Sequence, residues 1–205
     1  MTKPIDDTAA ARHRAKMEKR KAVQDAEVAG KTIEKGLLMV HTGPGKGKST
    51  AAFGLALRML GRGKRVGVVQ FIKGAWHSAE RDALARFGDQ VEWHSMGEGF
   101  TWETQDLARD IAAAARAWAK AKELIADPGF GLVILDELNI ALRYDYLDLA
   151  SVVAALTARR PMLHVVVTGR NAKPELIAAA DLVTEMTLVK HHFAAGVKAQ
   201  PGIEF

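Results

Sequence analysis

The sequence predicts an α/β fold with a mostly parallel central sheet of about six strands. Two observations support this prediction. Short β-branched runs recur along the chain from Gly36 onward, and longer segments with helical periodicity separate them. Parallel strands need crossover connections, which are usually helical, so the alternation favours a layered α/β sandwich. The strands are predicted at residues 37–41, 66–71, 91–94, 132–135, 163–168 and 182–189.

Length and composition favour one main domain. The chain has 205 residues, of which 48% are hydrophobic, so it can bury one substantial core, whereas two independent domains would each be small. We predict a catalytic α/β domain over residues 36–205, with helices at residues 49–60, 78–87, 103–126 and 147–158. Residues 1–35 are predicted to form a basic, partly helical arm, because lysine and arginine predominate between positions 12 and 21.

The arm has three interpretations. A solvated helical arm is the simplest of them. A lid that orders over a ligand is the second, and its ordering would have an entropy cost on binding. Nucleic-acid binding is disfavoured, because no aromatic side chains for base stacking alternate with the basic residues. We therefore expect no nucleic-acid partner.

Composition also excludes several kinds of chemistry. Without cysteine, the chain has no disulfide, no thiolate metal site and no internal dithiol reductant, so any electrons must come from elsewhere. No apolar run approaches the roughly 18 residues of a membrane span, and the N-terminus lacks the apolar core of a signal peptide. These observations predict a cytoplasmic protein with no membrane partner.

The strongest functional signal is the Gly-rich segment after the first predicted strand, Gly43-Pro44-Gly45-Lys46-Gly47-Lys48-Ser49-Thr50. Glycines let successive backbone N–H groups point at one centre, and the N-terminus of the following helix adds positive partial charge. Lys48 supplies a point charge for phosphate oxygens, and the Ser49 hydroxyl is suited to ligate Mg²⁺. The segment predicts a bound nucleotide triphosphate and a P-loop NTPase-like (RecA-like) three-layer sandwich.

The loop departs from the usual G-x-x-x-x-G-K-[ST] spacing. Thr42 stands where the first glycine is expected, and Gly43 follows one residue later. Pro44 also removes one N–H donor from the loop. We therefore expect an altered register of the phosphates along the loop and a slightly reduced affinity for them.

Charged residues follow two of the predicted strands, where ligands bind in parallel sheets. Asp136 and Glu137 end one apolar run and resemble the Walker B carboxylates that organise Mg²⁺ beside a phosphate loop. Which of the two meets the metal is not fixed by the sequence. Arg170, after the fifth strand, and Arg58, in the helix after the loop, could neutralise triphosphate charge or form surface ion pairs.

An aromatic pair and the histidines complete the set of candidates. Phe100 and Trp102 follow a glycine-rich turn in the loop after the third strand, and they either contact a flat apolar partner or pack as ordinary core. None of the seven histidines has convincing metal-ligand spacing. His41 and His164 lie within strand patterns, which is typical of core or edge residues, so we assign no metal to histidine.

Together these segments closely resemble the P-loop type of ATP:corrinoid (cob(I)alamin or cob(I)yrinic acid a,c-diamide) adenosyltransferases. The segments that carry the resemblance are the altered loop and residues 69–74 (VQFIKG), 100–105 (FTWETQ), 135–138 (LDEL) and 197–200 (VKAQ). They occur in the family's order and cover about residues 36–205. The resemblance implies transfer of the 5′-deoxyadenosyl group of ATP to the cobalt(I) of a reduced corrinoid, with release of triphosphate, in adenosylcobalamin biosynthesis or salvage.

The implied chemistry suits the residues. Cobalt attacks the ribose C5′ carbon, so a cradle that neutralises all three phosphates stabilises the leaving group and no general base is needed. The residues that match the family's positions around the phosphates and Mg²⁺ are Lys48, Ser49, Thr50, Arg58, Asp136, Glu137 and, less closely, Arg170. Lys48, Ser49 and Glu137 are the predicted catalytic residues. The resemblance also implies a reversed nucleotide, which would explain the displaced glycine.

The resemblance assigns the aromatic pair to the corrinoid. Phe100 and Trp102 match residues that press on the lower face of the corrin ring and displace its axial base. That displacement leaves a four-coordinate cobalt(II), which a flavin-type electron donor can reduce. The resemblance further implies that the basic arm folds over the corrinoid and that the protein is a homodimer.

Two other functions have distinct consequences. A conventional P-loop ATPase or kinase would use Glu137 to activate water or to position an acceptor, and it would release ADP instead of triphosphate. A nucleotide-gated nucleic-acid binder would use the arm and would show steeply salt-dependent affinity. We rank the nucleic-acid binder last.

Overall fold

A computed structural model describes residues 7–72, 78–97 and 106–204. The chain divides into two compact units, Met1–Glu34 and Lys35–Phe205. The described part of the first unit contains helix α1 (Asp7–Ala29). From Thr8 onward every side chain of α1 is exposed except that of Met17, which is half-buried. The helix therefore buries almost no apolar surface within its own unit.

The second unit alternates strands and helices. Within the residues that the structure describes, its elements in chain order are β1 (Leu38–Thr42), α2 (Lys48–Leu60), β2 (Arg65–Gln70), α3 (Ala79–Ala85), β3 (Val91–Ser95), α4 (Leu107–Ala126), β4 (Phe130–Asp136), α5 (Leu138–Arg143), α6 (Leu149–Thr157), β5 (His164–Thr168), α7 (Pro174–Ala179) and β6 (Leu182–Glu185). The same residues include two 3₁₀ helices, Gly88–Gln90 and His192–Ala195.

The six strands form one parallel sheet in the order β3-β2-β4-β5-β1-β6. The predicted fold class, a P-loop NTPase-like α/β sandwich, is confirmed. Strands β1, β4 and β5 lie inside the sheet and are almost entirely buried, which explains their continuous apolar runs. Because these strands lie side by side and are parallel, the residues that follow them meet at one edge of the sheet.

Apolar side chains fill both faces of the sheet. Alternate residues of a strand point to opposite faces, so Leu38 and Val40 join one cluster and Met39 joins the other. The first cluster includes buried residues of α4, α6 and α7, and the second includes buried residues of α2 and α3. Helices therefore cover the sheet on both sides, giving three layers.

Several element boundaries differ from the sequence prediction. Strand β6 ends at Glu185, four residues earlier than predicted, because the next residue turns toward another loop and Met186 O accepts a hydrogen bond from Gly45 N. Helix α4 begins at Leu107, where the Asp106 side chain accepts a hydrogen bond from Arg109 N and caps the first turn. Helices α5 and α7 were not predicted, since six residues are too few to show a helical period.

Among the described residues, no helix is both long and apolar enough to span a bilayer.

Helix α6 offers a direct test of the core. Leu156 is fully buried in the first cluster, so we expect Leu156→Ala to lower the free energy of unfolding by about 2–5 kcal/mol, through lost burial and a residual cavity. Leu57→Ala is the matched control, because Leu57 also lies on a helix but is 53% exposed. We expect that variant to stay within about 0.5 kcal/mol of the unmodified chain. Urea denaturation followed by circular dichroism measures both, and equal losses would contradict the assignment of Leu156 to the core.

Candidate active site

The Gly-rich loop connects β1 to α2 at the carboxyl edge of the sheet. Gly43 and Gly47 have φ angles of 95° and 101°, in the left-handed region that favours glycine. Gly45 packs against the segment after β6, where its N–H donates to Met186 O at 2.6 Å. A Cβ atom at Gly45 would lie 2.6 Å from Thr187 O, so this close approach also requires glycine. The loop is therefore shaped both by its glycines and by a neighbouring strand.

Lys48 lies at the centre of this loop. Its side chain is on the first residue of α2 and is only 7% exposed. The ammonium donates to the carbonyl oxygens of Gly43, at 3.0 Å, and Gly45, at 2.5 Å. Burial is the main cause that lowers the pKa of Lys48 below its ordinary value, with Arg170 acting in the same direction and Glu137 in the opposite one. Glu137 and Arg170 therefore lie close enough to Lys48 for their charges to affect it.

Asp136, at the end of β4, is fully buried beneath the loop. Its Oδ1 accepts hydrogen bonds from Ser49 Oγ at 2.6 Å and from Thr168 Oγ1 at 2.8 Å. Its Oδ2 accepts a third from Gln70 Nε2 at 2.9 Å. A buried carboxylate requires such partners, because it has lost its hydration. Asp136 therefore joins the start of α2 to the ends of β2 and β5.

Gln70 is a residue of this site to which the sequence analysis gave no role. It is 2% exposed, and its Oε1 accepts hydrogen bonds from Trp93 Nε1 at 3.2 Å and from Ser95 Oγ at 2.9 Å. These bonds fix the amide so that its nitrogen faces Asp136. A polar residue at the end of an otherwise apolar strand was the available signal. Its partners could not be read from sequence, because they lie on another strand.

Glu137 and Arg170 are brought together by the turns that follow β4 and β5. Glu137 has a φ of 62°, and its N–H donates to Thr168 Oγ1 at 2.9 Å. Gly169 has a φ of 125°, and a Cβ there would lie 3.0 Å from Glu137 Oε2. Asn139 holds this second turn in place, since its Nδ2 donates to Gly169 O at 2.9 Å. The two turns are therefore packed directly against each other.

These elements surround a partly open cavity of about 440 Å³. The residues that line it are Gly45, Lys46, Gly47, Lys48, Ser49, Thr50, Ile72, Glu80, Glu137, Ile140, Arg143, Tyr144, Arg170, Ile203 and Glu204. The lining combines cationic side chains of the loop with apolar and aromatic side chains, among them Ile72, Ile140 and Tyr144. Such a cavity suits a ligand with a polyanionic part and a flat, less polar part.

Not every residue predicted for the site lines the cavity. Among the described residues, Thr42, Gly43, Pro44 and Asp136 lie beside or beneath it. Arg58 is exposed in the last turn of α2, ten residues after Lys48 and hence about 15 Å farther along the helix axis. Phe100 and Trp102 lie outside the described residues. The predicted roles of all these residues remain predictions.

The oxygen atoms near the loop suit Mg²⁺. The Ser49 hydroxyl lies next to the Asp136 carboxylate, and Glu137 lines the same cavity. Among the described residues there is no group of three or more His, Asp and Glu side chains that could hold a metal ion by themselves. Mg²⁺ commonly uses one or two protein oxygens together with phosphate oxygens, so these donors fit a nucleotide-bound ion.

The rings of His41 and His164 each lie against backbone groups. His41 is 5% exposed, and its Nδ1 lies 3.2 Å from Lys48 O. His164 Nδ1 accepts a hydrogen bond from Leu37 N at 3.1 Å, and burial lowers the pKa of this imidazole. Both rings thus contact backbone groups, as expected of core residues.

The fold and this site define a class of protein. A Gly-rich loop joins a parallel strand to a helix, a lysine stands at the helix start, and a buried carboxylate bonds the adjacent hydroxyl. This combination is characteristic of P-loop nucleotide-binding proteins.

Comparison with known proteins identifies the family. Residues 34–205 match the model of the family described as ATP:corrinoid adenosyltransferase BtuR/CobO/CobP. Residues 5–28 match a second model, described as cob(I)alamin adenosyltransferase N terminal. The chain therefore belongs to the ATP:corrinoid adenosyltransferase family, as the sequence analysis predicted.

Several similar proteins are named corrinoid adenosyltransferase. A corrinoid adenosyltransferase of Pseudomonas aeruginosa is 59% identical over 194 residues, which cover 95% of this chain and 96% of that protein. One from a Sinorhizobium species is 58% identical over 197 residues, covering 95% and 92%. The corrinoid adenosyltransferase CobA of Salmonella typhimurium is 48% identical over 194 residues, covering 95% and 98%. The predicted enzyme class, an adenosyltransferase acting with ATP on a corrinoid, is confirmed.

The packing of the loop generates a testable expectation. Gly45→Ala would place a methyl group 2.6 Å from Thr187 O and 2.7 Å from Met186 O, so the loop must shift. We expect the affinity for ATP to fall about tenfold to a hundredfold, because the N–H groups and Lys48 would move relative to the phosphates.

The matched control is Gly54→Ala on α2, where an added Cβ meets nothing within 4 Å. This substitution should leave the affinity for ATP unchanged and raise the free energy of unfolding by up to about 1 kcal/mol, as expected for alanine in a helix. Calorimetric titration with ATP measures the affinity. Equal affinities of the two variants would show that the shape of the loop does not depend on Gly45.

Proposed function

We propose that the cavity binds Mg-ATP with its triphosphate in the loop of residues 42–50, and that the adenosyl group leaves from this site to the cobalt(I) of a reduced corrinoid. The observation that carries this proposal is that separate segments of the chain meet at one cavity. The loop, Glu137 and Arg170 come from three separate segments and line one cavity. Family membership supports the same substrates.

The charge distribution suits triphosphate as a leaving group. As the bond between cobalt and C5′ forms, the bond between C5′ and the triphosphate oxygen breaks, and its electron pair stays on that oxygen. The phosphates therefore gain one negative charge. The cations that line the cavity near the loop, Lys46, Lys48 and Arg170, interact more strongly with this product-like charge than with ATP. That difference lowers the barrier.

The contacts favour a division of labour between the two carboxylates. Both oxygens of Asp136 accept hydrogen bonds from the protein, and Asp136 is fully buried. Glu137 faces the cavity. We assign Glu137 and Ser49 to Mg²⁺, and Asp136 to orienting the Ser49 hydroxyl. When bound, the ion supplies positive charge to the phosphate oxygens.

The corrinoid half of the reaction involves Phe100, Trp102 and the arm. We assign the aromatic pair to the lower face of the corrin ring and the arm to a lid over the corrinoid. The exposed surface of α1 supports the second assignment, since an isolated helix is stabilised mainly when it packs against something else. The match of residues 5–28 to an adenosyltransferase N-terminal model is consistent with it.

The remaining assignments follow from composition and family. Because the chain has no cysteine, an external flavin-type donor is the proposed source of the electrons that produce cobalt(I). The resemblance to the family supports a homodimer acting in the cytoplasm.

The released phosphate species tests the proposed reaction. Anaerobic incubation with Mg-ATP and a chemically reduced corrinoid should give intact triphosphate by phosphorus NMR, together with a light-sensitive alkylcobalt product in the visible spectrum. Glu137→Gln should lower the rate by about a hundredfold to a thousandfold, since it removes a charge that holds the metal. Glu175→Gln, an exposed position on α7, should leave it unchanged. Release of ADP in the absence of corrinoid would contradict the proposed reaction and would indicate a conventional ATPase.

The aromatic pair requires a comparison of two starting states. Phe100→Ala with Trp102→Ala should spare activity on pre-reduced cobalt(I), because the transfer step does not need the lower axial base to be displaced. The same variant should lose activity when the reaction starts from cobalt(II) and a flavin donor. Rates measured from the visible spectrum test both routes, and an equal loss on the two would rule out this role.

A further inference from the structure

The mechanism above assigns no role to the last described segment, residues 190–204, although this segment reaches the phosphate loop. It includes the 3₁₀ helix His192–Ala195 and the motif at residues 197–200 that contributes to the family resemblance. Ile203 and Glu204 line the same cavity as the phosphate loop. Among the described residues, Glu204 is therefore a third carboxylate in the wall of this cavity, beside Glu80 and Glu137.

Glu204 is held by a hydrogen bond from Lys46 and lies beside the ring of His192. Lys46 Nζ donates a hydrogen bond to Glu204 Oε2, and His192 Nε2 lies 3.2 Å from Glu204 Oε1. The Glu204 side chain is 15% exposed. The hydrogen bond from Lys46 is the main cause that holds the pKa of Glu204 below its ordinary value. The carboxylate is thus ionised at neutral pH and partly shielded from water.

Lys46 connects this carboxylate with the phosphates. It stands in the middle of the loop, between Gly45 and Gly47, and lines the cavity on its phosphate-binding side. An ammonium group has three donors and can contact two anions, but the two anions repel each other, so the binding of one weakens the contact with the other. A triphosphate carries several negative charges, whereas Glu204 carries one. When triphosphate is bound, we therefore expect the Lys46 ammonium to contact the phosphates and its hydrogen bond with Glu204 to break.

We propose that Glu204 is a positioning residue that competes with triphosphate for Lys46. Lys46 turns from Glu204 to the phosphates when the nucleotide binds, and Glu204 recovers it as triphosphate leaves. Without nucleotide, the Lys46–Glu204 contact ties segment 190–204 to the loop; with nucleotide bound, this contact is broken and the segment is released. This inference rests on the proposed function, since it takes the loop as the triphosphate site.

The expected effect is modest because the side chain of Lys46 is 52% exposed and solvent screens the pair. Glu204→Gln should strengthen the binding of inorganic tripolyphosphate about twofold to fivefold, the range expected for an exposed ion pair. In a Lys46→Met background the same substitution should have no effect, because the group for which the two anions compete is gone.

Calorimetric titration with inorganic tripolyphosphate in the presence of Mg²⁺ tests this coupling. Glu80→Gln is the control, since Glu80 lines the same cavity and its removal changes the cavity charge equally. The effect of Glu80→Gln should be the same with Lys46 and with Met at position 46. If Glu204→Gln also acts equally in both backgrounds, the charge alone is responsible and the competition is disproved.

Limited proteolysis gives an independent readout. Lys190 and Lys198 are exposed, so trypsin cleavage there, followed by mass spectrometry, reports release of the segment. Tripolyphosphate should accelerate cleavage at these sites in the unmodified chain, and Glu204→Gln should be cleaved rapidly with or without it. Protection by tripolyphosphate, or no change, would overturn the proposal.

One further variant distinguishes a failure of the proposed triphosphate site from a failure of the competition for Lys46. If Lys48→Ala binds tripolyphosphate as tightly as the unmodified chain does, the loop is not the triphosphate site and both proposals fail. If Lys48→Ala loses binding while Glu204→Gln and Glu80→Gln behave alike, the proposed function stands and the competition for Lys46 is wrong.

Discussion

The hydrogen bonds to the buried Asp136 carboxylate are the interaction on which the site depends. Burying a carboxylate in this position without hydrogen-bond partners would cost several kcal/mol in lost hydration. Ser49, Thr168 and Gln70 supply three donors, and each comes from a different element. Satisfying one charge therefore fixes the start of α2 relative to the ends of β2, β4 and β5. The cavity above Asp136 inherits its geometry from this arrangement.

A second constraint acts on the loop from the opposite side. Gly45 donates to Met186 O, and its close approach to Thr187 leaves no room for a side chain. The segment after β6 thus shapes the phosphate site although it carries none of the site's predicted residues. Just beyond the end of β6, Met186 N still donates to Thr42 O at the end of β1, whereas Met186 O accepts its hydrogen bond from the loop. Packing of the chain after β6 and the shape of the Gly-rich loop are therefore coupled.

Much of the fold and site could be predicted because the signals are local. Apolar runs gave the six strands, and the spacing of glycines with Lys48 and Ser49 gave the phosphate loop. The short helices α5 and α7 could not be found by periodicity, since six residues make fewer than two turns. Gln70 and Asn139 were missed for another reason, because their partners are distant in sequence. Arg58 lies in the last turn of α2 and is not among the residues that line the cavity, and its predicted contact with the phosphates remains a prediction.

The sequence by itself determined the class of fold, predicted the phosphate loop and, through the family resemblance, predicted the kind of chemistry. The alternation of segments and the short motifs can be recognised along the chain without knowing how they pack. The tertiary structure decided which carboxylate faces the cavity, what holds the buried one, and that Glu204 meets Lys46 across more than 150 positions. Such contacts depend on strand order and on the turns at strand ends. These are set by the packing of the whole sheet, because pairing of distant segments is selected by the burial and hydrogen bonding of all six strands together.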